Sequence, residues 1–491
     1  MKKRRILSLL LAALMLIPCM SCAGTGTEER DTEPVSAVDQ PVQPSEETDA
    51  EAELSDKLPQ RDFGGADYTI LTAAEQWQNT YAADQLNGDV MNDALFERNS
   101  AVEERFGVKL DMEIVNGYSA GTSTVLSKLR GTVQAGDAVY DLLAASSAYT
   151  APYIMDGVLG ELSQSEWLDF EAPWYYKSTN DALTVKGKLY QAAGAFGVQT
   201  LATCGCIAFN KELFKAMGEA FPYEAALEGK WTYDGMLALG EKACSDLNGN
   251  GEPDKEDRYG ILSTQNESLQ WLAFGMGYRI VLPDDDGTPA FVGATERNVN
   301  ALDRLSALMK RKDLYFAANI DPAAEAIPMF TAGQGLFLMY ELKIMTYDAM
   351  RDGPDFGVLP YPKYDEGQEA YISKCFPDVA AIPVVVKDAD MSGIVLEALN
   401  SETFRSVVPV YYNILLQRKL SRDDDSATMI DLAREGTLCD FGMAYYQSLS
   451  SDLFGLEAIL SAGSLTTWFA SNEKVLNKKM DKLLTQLEEL G

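Results

Sequence analysis

The sequence predicts an α/β protein with largely parallel sheets, because segments of strand character alternate with segments of helical periodicity. Strands are predicted at Asp67–Leu71, Val108–Val115 and Tyr140–Ala145, and a helix is predicted over Met91–Phe106. A second helix, before the third strand, places apolar residues at helical spacing, namely Val125, Leu126, Leu129 and Val133. Ligands of such folds bind beyond the carboxyl ends of the strands.

Length, composition and charge limit the class of protein. At 491 residues the chain is long enough for about two or three lobes with a sizeable core. Its 46% hydrophobic and 23% charged residues are typical of a globular protein. The formal net charge of -33 argues against nucleic acid as a partner, because such a surface would repel a phosphate backbone.

The sequence contains no histidine, which excludes several kinds of catalytic site. Acid–base catalysis by histidine, Ser-His-Asp and Cys-His nucleophiles and the usual zinc sites all require it. Gly117–Gly121 matches the G-x-S-x-G pattern of a nucleophile elbow, but the chain has no base to activate Ser119. We interpret this segment as a strand-to-helix turn, and we expect any metal to be held by oxygen atoms.

The N-terminus predicts export and lipid anchoring. Basic Lys2–Arg5 precede an apolar run, Ile6–Ile17, that is too short for an ordinary membrane-spanning helix. Ser21 before Cys22 is typical of a lipoprotein cleavage site, which makes 1–22 a signal peptide and Cys22 the lipidated residue. Cys19 stands where such sites usually have Leu, so a plain secretory signal remains the alternative. The predicted location is the extracellular face of the cell membrane.

Residues 23–60 have the composition of a tether. They are rich in Glu, Asp, Thr, Ser and Pro and contain few large apolar residues. Such a segment cannot bury a core, so it is predicted to be a disordered acidic tether.

The loop that follows Cys244 has the spacing of a calcium-binding loop. Oxygen-bearing side chains occupy its positions one, three, five, nine and twelve: Asp246, Asn248, Asn250, Asp254 and Asp257. Gly251 takes position six, where the chain must turn sharply, and the Glu252 carbonyl would supply position seven. The alternative is a metal-free turn rich in Asp and Asn, and Asp257 is shorter than the usual Glu. We predict one structural Ca²⁺, away from the ligand site.

Several short motifs occur in an order that is specific to one family. They are Asp62–Gly65, Glu97–Asn99, Val102–Phe106, Asn210–Lys211, Gly229–Thr232, the loop Asp246–Gly260, and Phe356–Lys363 followed by Tyr364–Glu366. With these motifs the chain resembles the extracellular solute-binding proteins of ABC importers. It is most similar to the family-1, sugar-binding, maltose-binding-protein-like lipoproteins of Gram-positive bacteria.

The resemblance implies a two-lobed fold of the type II periplasmic-binding-protein class, with several hinge crossings. The crossings are expected near Gly197, near 378–382 and near Cys439. Lobe 1 would then comprise 61–197 plus 383–439, and lobe 2 would comprise 198–382 plus 440–491. A hinge motion would close the lobes over a ligand.

The same resemblance implies a set of ligand-binding residues in the cleft between the lobes. Sugar sites combine aromatic faces with convergent amides and carboxylates. The implied positions are Trp77, Ser147, Tyr149, Gln199, Glu267, Trp271, Tyr340, Glu341 and Trp468. Each aromatic residue among them has packing in the core as its alternative role.

The function implied is that of a non-catalytic, monomeric receptor. It would capture a sugar, an oligosaccharide or another small polar solute and deliver it to the permease subunits of an ABC transporter. A surface-anchored carbohydrate-active enzyme with paired carboxylates is the first alternative. A structural or sensory lipoprotein is the second.

Overall fold

The computed structural model describes residues 55–74, 81, 83–319, 321–416, 424–449, 456, 459 and 463–490. Residues 58–491 belong to one compact unit, which contains every element named below. The predicted signal peptide with Cys22, most of the predicted tether and Trp77 lie outside the described residues. Among the described residues, no helix is both long and apolar enough to cross a bilayer.

The strands and helices alternate along the chain. The strands are β1 Ala66–Ala74, β2 Val108–Asn116, β3 Leu142–Ser146, β4 Ala192–Ala193, β5 Gly205–Asn210, β6 Tyr259–Thr264, β7 Val281–Pro283, β8 Pro289–Phe291, β9 Tyr315–Ala318, β10 Gly335–Glu341, β11 Phe356–Leu359, β12 Ser373–Lys374, β13 Asp378–Ala381 and β14 Thr437–Leu438. The α-helices are α1 Val90–Phe106, α2 Tyr118–Ala135, α3 Ala151–Met155, α4 Lys177–Leu183, α5 Gln199–Ala202, α6 Lys211–Met217, α7 Tyr223–Leu227, α8 Tyr233–Ala243, α9 Gln265–Gly275, α10 Glu296–Lys310, α11 Ala326–Thr331, α12 Asp348–Asp352, α13 Ala389–Glu402, α14 Val408–Leu416, α15 Asp424–Glu435, α16 Phe441–Ala444, α17 Tyr446–Leu449 and α18 Leu465–Glu489. Ser147–Tyr149 and Leu342–Thr346 form 3₁₀ turns, and Thr403–Val407 forms a π-helical turn between α13 and α14.

The first sheet has the strand order β2-β1-β3-β13-β4. β1 runs parallel to β2 and to β3, which confirms the parallel core that the alternating pattern predicts. β13 runs antiparallel to β3 and to β4, so this one strand makes the sheet mixed. The helices α1 and α13 pack against each other beside this sheet, while α2 packs on β1 and β2.

The predicted first helix forms because both of its ends carry the right residues. The carboxylate of Asp89 accepts hydrogen bonds from the N–H groups of Met91 and Asn92, which otherwise have no partner in the first turn. Leu95, Val102 and Phe106 are buried on one side of the helix. α1 therefore begins within one residue of the predicted start and ends at the predicted residue.

The second sheet has the strand order β11-β5-β10-β6-β9. β10 is parallel to β6 and β6 is parallel to β9, whereas β5 is antiparallel to both β10 and β11. Every residue of β5, β6, β10 and β11 is buried. Such strands need cover on both faces, and α8 and α11 are among the helices that pack against this sheet.

The chain passes between the two sheets in segments that differ partly from the expected crossings. The first crossing joins β4 to β5 and contains Gly197, as expected. Asp378–Ala381, which the sequence division assigns to lobe 2, pairs with β3 of the first sheet. Residues 424–435, assigned to lobe 1, form α15, which packs on β11 of the second sheet. Backbone pairing places the first of these segments and helix packing places the second, and the sequence displays neither contact.

The contact between α8 and β6 depends on two glycines. A Cβ atom on Gly260 would lie 2.6 Å from the carbonyl oxygen of Gly240 and 2.5 Å from Cδ1 of Leu314. Backbone atoms cannot move aside as the end of a side chain can. We therefore expect Gly260→Ala to lower the free energy of unfolding by about 1–3 kcal/mol, measured by chemical denaturation.

Gly235→Ala in α8 is the matched control for this prediction. A Cβ at Gly235 meets nothing closer than Oγ1 of Thr232 at 3.5 Å, an ordinary van der Waals contact. Replacing a helical glycine with alanine in open space stabilises by roughly 0.5–1 kcal/mol. Equal stability of the two variants would show that the close approach of helix and strand does not matter.

Candidate functional site

The structure describes the side chains of six of the nine residues implied for the ligand site. Trp77 lies outside the described residues, and the side chains of Gln199 in α5 and Glu267 in α9 are also outside them. The six that are described are Ser147, Tyr149, Trp271, Tyr340, Glu341 and Trp468. All six are buried or half-buried.

Trp271, Tyr340 and Tyr361 form an aromatic cluster beside the second sheet. The ring centres of Trp271 and Tyr340 are 6.2 Å apart with nearly perpendicular planes, and those of Trp271 and Tyr361 are 6.5 Å apart and stacked. Tyr340 lies near the carboxyl end of β10, while Trp271 belongs to α9, which begins directly after β6. Trp271 is 4% exposed and Tyr340 is 6% exposed, so both rings are packed in this conformation.

Lys374 connects this cluster to two further aromatic residues. Its Nζ atom lies 5.5 Å from the ring centre of Trp271 and 4.5 Å from that of Phe376. Its carbonyl oxygen accepts a hydrogen bond of 2.8 Å from Nε1 of Trp271. The ring of Phe376 lies 5.9 Å from that of Tyr446, and both of these rings are half-buried. A cation over aromatic faces is a stable arrangement that also fixes the orientation of the rings.

The aromatic residues continue to the carboxyl end of β3 in the first sheet. Burial raises the pKa of the Tyr149 hydroxyl, and the nearby Tyr446 adds to that shift. Ser147, which precedes Tyr149, donates its backbone N–H to the carbonyl of Pro377 at 2.9 Å. We call Tyr149, Tyr446, Phe376, Lys374, Trp271 and Tyr340 the aromatic row. The row runs from the strand ends of one sheet to the strand ends of the other.

A carboxylate and an ammonium group flank the row at the end of β10. Glu341 and Lys343 form an ion pair with 2.5 Å between the Glu341 oxygen and Nζ. The same Nζ lies 5.4 Å from the ring centre of Tyr340. Charged groups beside aromatic faces can form hydrogen bonds with the hydroxyl groups of a polar ligand.

Sequence reasoning missed Lys374, Phe376 and Tyr446. Phe376 precedes the crossing that the resemblance placed at 378–382, and Tyr446 follows the crossing placed near Cys439. Aromatic residues next to an expected crossing are the signal that could have identified both. The site of Lys374 depends on how its segment pairs with β14, which no local pattern reveals.

Trp468 lies in the first turn of α18 and is 7% exposed. Its backbone N–H donates to the carbonyl of Ser464. Within the described part of the chain, no ring contact or hydrogen bond connects it to the aromatic row. Its role as a ligand-binding residue therefore stays a prediction.

The loop Asp246–Gly260 folds around its own carboxylates. Asp246 accepts hydrogen bonds from the N–H groups of Gly249 and Gly251, and both oxygens of Asp257 accept from backbone N–H groups. Backbone hydrogen bonds between Ser245 and Arg258 close the base of the loop. A cavity of about 240 Å³ lies against Asp246, Glu252 and Asp257.

The hydrogen bonds between side chains of this loop bear on whether its oxygen atoms could bind calcium. Nδ2 of Asn250 donates to Oδ2 of Asp254 at 2.6 Å, and Nδ2 of Asn248 donates to the same carboxylate. The Glu256 N–H is the largest cause, with these amides contributing, of a lowered pKa of Asp254. If the side-chain amide of Asn248 or Asn250 rotated by half a turn, its oxygen would face Asp254. A cation would then lie where the amide hydrogens are now. The loop holds the oxygen types that a hard cation takes, but Oδ1 of Asn248 and Oδ1 of Asn250 each accept a backbone N–H, and in the described residues no three His, Cys, Asp or Glu side chains form a metal-binding group.

No family model and no curated protein sequence matches the chain. Among solved structures, the chain is similar to a cyclo/maltodextrin-binding protein complexed with maltotetraose. The identity is 15% and the TM-score is 0.51, over 86% of this chain and 96% of that one. It is also similar to the ABC substrate-binding protein Lmo0181 from Listeria monocytogenes in complex with cycloalternan. There the identity is 16% and the TM-score 0.49, over 86% and 99% of the two chains.

The similarity to the cyclo/maltodextrin-binding protein establishes the fold. The chain has the two-lobed α/β fold of maltose-binding-protein type, with one sheet in each lobe. This confirms the fold class predicted from the sequence. An identity of 15% shows the fold alone, so the function of this chain has to be argued from its own residues.

Proposed function

We propose that the protein is a non-catalytic receptor that binds a sugar or oligosaccharide between its two lobes. The observation that carries the proposal is the aromatic row, which joins the strand ends of both sheets. A ligand that contacts the whole row contacts both lobes at once. Such a ligand has different affinities for separated and closed lobes, and this difference is what drives closure.

The chemistry of the row fits a saccharide. Aromatic rings offer flat apolar faces of the kind that cover the C–H face of a pyranose ring. Glu341 accepts hydrogen bonds from hydroxyl groups, and Lys343 and Lys374 donate them. Trp271 and Tyr340 are almost fully buried, so the proposal requires that movement of the lobes makes their faces accessible.

Two further considerations support a receptor over an enzyme. The chain has no histidine, and the carboxylate beside the row, Glu341, is held in an ion pair with Lys343. The cyclo/maltodextrin-binding protein of similar fold, named as a binding protein, is complexed with maltotetraose, an oligosaccharide. Delivery to ABC permease subunits by a monomeric, lipid-anchored receptor completes the proposal. Reducing sugar released from any bound glycan would favour the alternative of a carbohydrate-active enzyme.

Removing a ring from the row should weaken ligand binding. A glycan panel that includes maltotetraose is first screened by thermal shift to identify a ligand. We then expect Phe376→Ala and Tyr446→Ala each to reduce the binding free energy by about 1–3 kcal/mol, measured by calorimetry. The physical reason is the loss of a large apolar contact that only the bound state makes.

Phe170→Ala is the control for these two variants. Phe170 is also half-buried, and its ring lies 5.1 Å from that of Tyr175, away from the row. It should keep the affinity of the wild-type protein, and circular dichroism should show that all three variants fold. Unchanged affinity in both row variants would remove the row from the ligand site.

The loop Asp246–Gly260 is proposed to bind one structural calcium ion. The side chains of Asp246, Asn248, Asn250, Asp254 and Asp257, with the Glu252 carbonyl, would supply the oxygens. The loop connects α8 to β6, so ordering it fixes how that helix meets the second sheet. Its position after Cys244 is distinct from the aromatic row, and the ion would therefore act on stability rather than on ligand binding.

Removing calcium should lower the melting temperature by several degrees. Extracellular calcium modules bind with Kd of roughly 10⁻⁴–10⁻³ M, and calcium at about 100 times Kd stabilises by about 2.7 kcal/mol. Melting curves with chelator and with calcium at about 100 times Kd, on the order of 10–100 mM, measure the shift. Asp246→Ala should abolish the shift while glycan affinity stays unchanged.

Asp284→Ala is the matched control in a second acidic turn. The Asp284 carboxylate also accepts hydrogen bonds from backbone N–H groups, those of Asp286 and Thr288, but its turn lacks the calcium spacing. This variant should keep the full calcium response. Identical wild-type curves with chelator and with calcium would mean either a metal-free turn or calcium binding too weak to affect stability.

Lipid attachment at Cys22 is the proposed anchor. The full-length protein should partition with membranes, and Cys22→Ala should abolish lipid labelling and release the chain. Cys19→Ala is the control, because a cysteine inside the signal peptide is removed at cleavage and should leave lipidation unchanged. A Cys22→Ala protein that still carries lipid would show that the anchor lies elsewhere, and an unlipidated wild type would favour a plain secretory signal.

A further inference from the structure

Three chain segments between the two sheets pack against one another. They are residues 194–204, 372–378 and 436–440, and we call them the crossing core. β12 of the second segment pairs in parallel with β14 of the third. The N–H of Asp378 in the second segment donates to Oγ1 of Thr200 in the first at 2.9 Å. Any change in the angle between the lobes must act on these contacts.

Asp378 is buried at the centre of the crossing core. Its side chain is 4% exposed, and the Tyr81 hydroxyl is the side-chain hydrogen-bond partner that faces its carboxyl group. A Cβ atom on Gly197 would lie 2.2 Å from Cβ of Asp378, so the first segment lies directly on this carboxyl group. The titratable groups that face it are Tyr81, Tyr176 and Cys375. None of these carries a positive charge.

Asp440 is a second buried carboxyl group, in the third segment. It is 3% exposed and caps α16, where its Oδ1 accepts a hydrogen bond of 2.9 Å from the N–H of Met443. Its Oδ2 has no donor among the described residues. α16 packs on Ser147–Tyr149 of one lobe and on β7 of the other. The charged and titratable groups that face Asp440 are Arg279, Lys374, Tyr278 and Cys439.

We propose that Asp378 and Asp440 form a proton-controlled latch, in which their neutral forms keep the crossing core packed and their ionisation favours separation of the lobes. A buried carboxylate without a full set of donors is costly, because no water replaces the lost hydration. Lobe separation admits water and removes that cost. The inference rests on the proposed opening and closing of the two lobes.

The sign of the response follows from the two pKa values. Burial raises the pKa of Asp378 to about 7, against a smaller lowering by Tyr81. Burial also raises the pKa of Asp440 to about 6, and Arg279 opposes the shift. A hydrated Asp has a pKa of about 3.9, so the packed state holds more protons than the open state between about pH 4 and pH 7. Raising the pH through that window therefore favours opening.

Asp378 should contribute more than Asp440. Arg279 and Lys374 face Asp440 and stabilise its charged form, whereas among the described residues no cation is found to act on Asp378. Lobe opening at the upper end of this pH window should therefore follow the ionisation of Asp378.

Small-angle X-ray scattering of the full chain without ligand tests the latch. We expect the radius of gyration to rise between about pH 5 and pH 7 at constant ionic strength. Asp378→Asn, which keeps the shape of the side chain and removes its charge, should abolish the upper part of this rise. Asp440→Asn should reduce its amplitude to a smaller extent. Glu473→Gln, at an exposed position on α18, should keep the wild-type profile.

Two outcomes would overturn the proposal. One is a wild-type radius of gyration that does not change with pH, a result that needs no variant to fold. The other is a rise in the radius of gyration that is unchanged in both Asp378→Asn and Asp440→Asn. If Asp378→Asn does not fold, an unchanged rise in Asp440→Asn alone has the same meaning. Because no glycan is present, the result is independent of the test of the ligand site. A protein without glycan affinity can still show the latch, and a glycan receptor can lack it.

Discussion

The parallel pairing of β12 with β14 is the interaction on which the rest of the site depends. The N–H of Ser373 donates to the Gly436 carbonyl at 2.8 Å, and the N–H of Cys375 donates to the Leu438 carbonyl at 3.2 Å. Two hydrogen bonds thus hold together segments more than sixty residues apart in the chain. Lys374 lies between them, and the pairing places its side chain over Trp271. The same pairing holds the segments that contain the two buried carboxyl groups side by side.

Most of the fold could be predicted from the sequence because long elements carry their own periodicity. β1, β2 and β3 of the first sheet and α1 are identified from apolar spacing and from the sequence order of strand and helix. Strands of two residues, such as β4, β12 and β14, contain no period to detect. Asp378–Ala381 shows the same limit, since its membership of the first sheet results from backbone pairing with β3. The sequence therefore predicts the lobes better than the connections between them.

The residues of the candidate site also differ in whether local sequence could identify them. Trp271 and Tyr340 follow or end strands of the second sheet, where sequence rules place ligand-binding residues. Phe376 and Tyr446 lie in or beside the crossing segments and depend on tertiary packing for their place in the row. Lys374 is the clearest case, because the sequence around a buried lysine does not show which aromatic rings its side chain contacts. Missing these residues has a physical cause: contacts across the crossing core are non-local.

Exposed and buried carboxyl groups of the protein differ in how salt affects them. The exposed carboxylates contribute to the net charge of -33, and their mutual repulsion is screened by salt. Burial moves the pKa of Asp378 to about 7, and no salt reaches that site while the core is packed. An effect of surface charge on lobe separation would weaken at high ionic strength. An effect of the crossing core would persist in salt and appear near neutrality, so ionic strength separates the two causes.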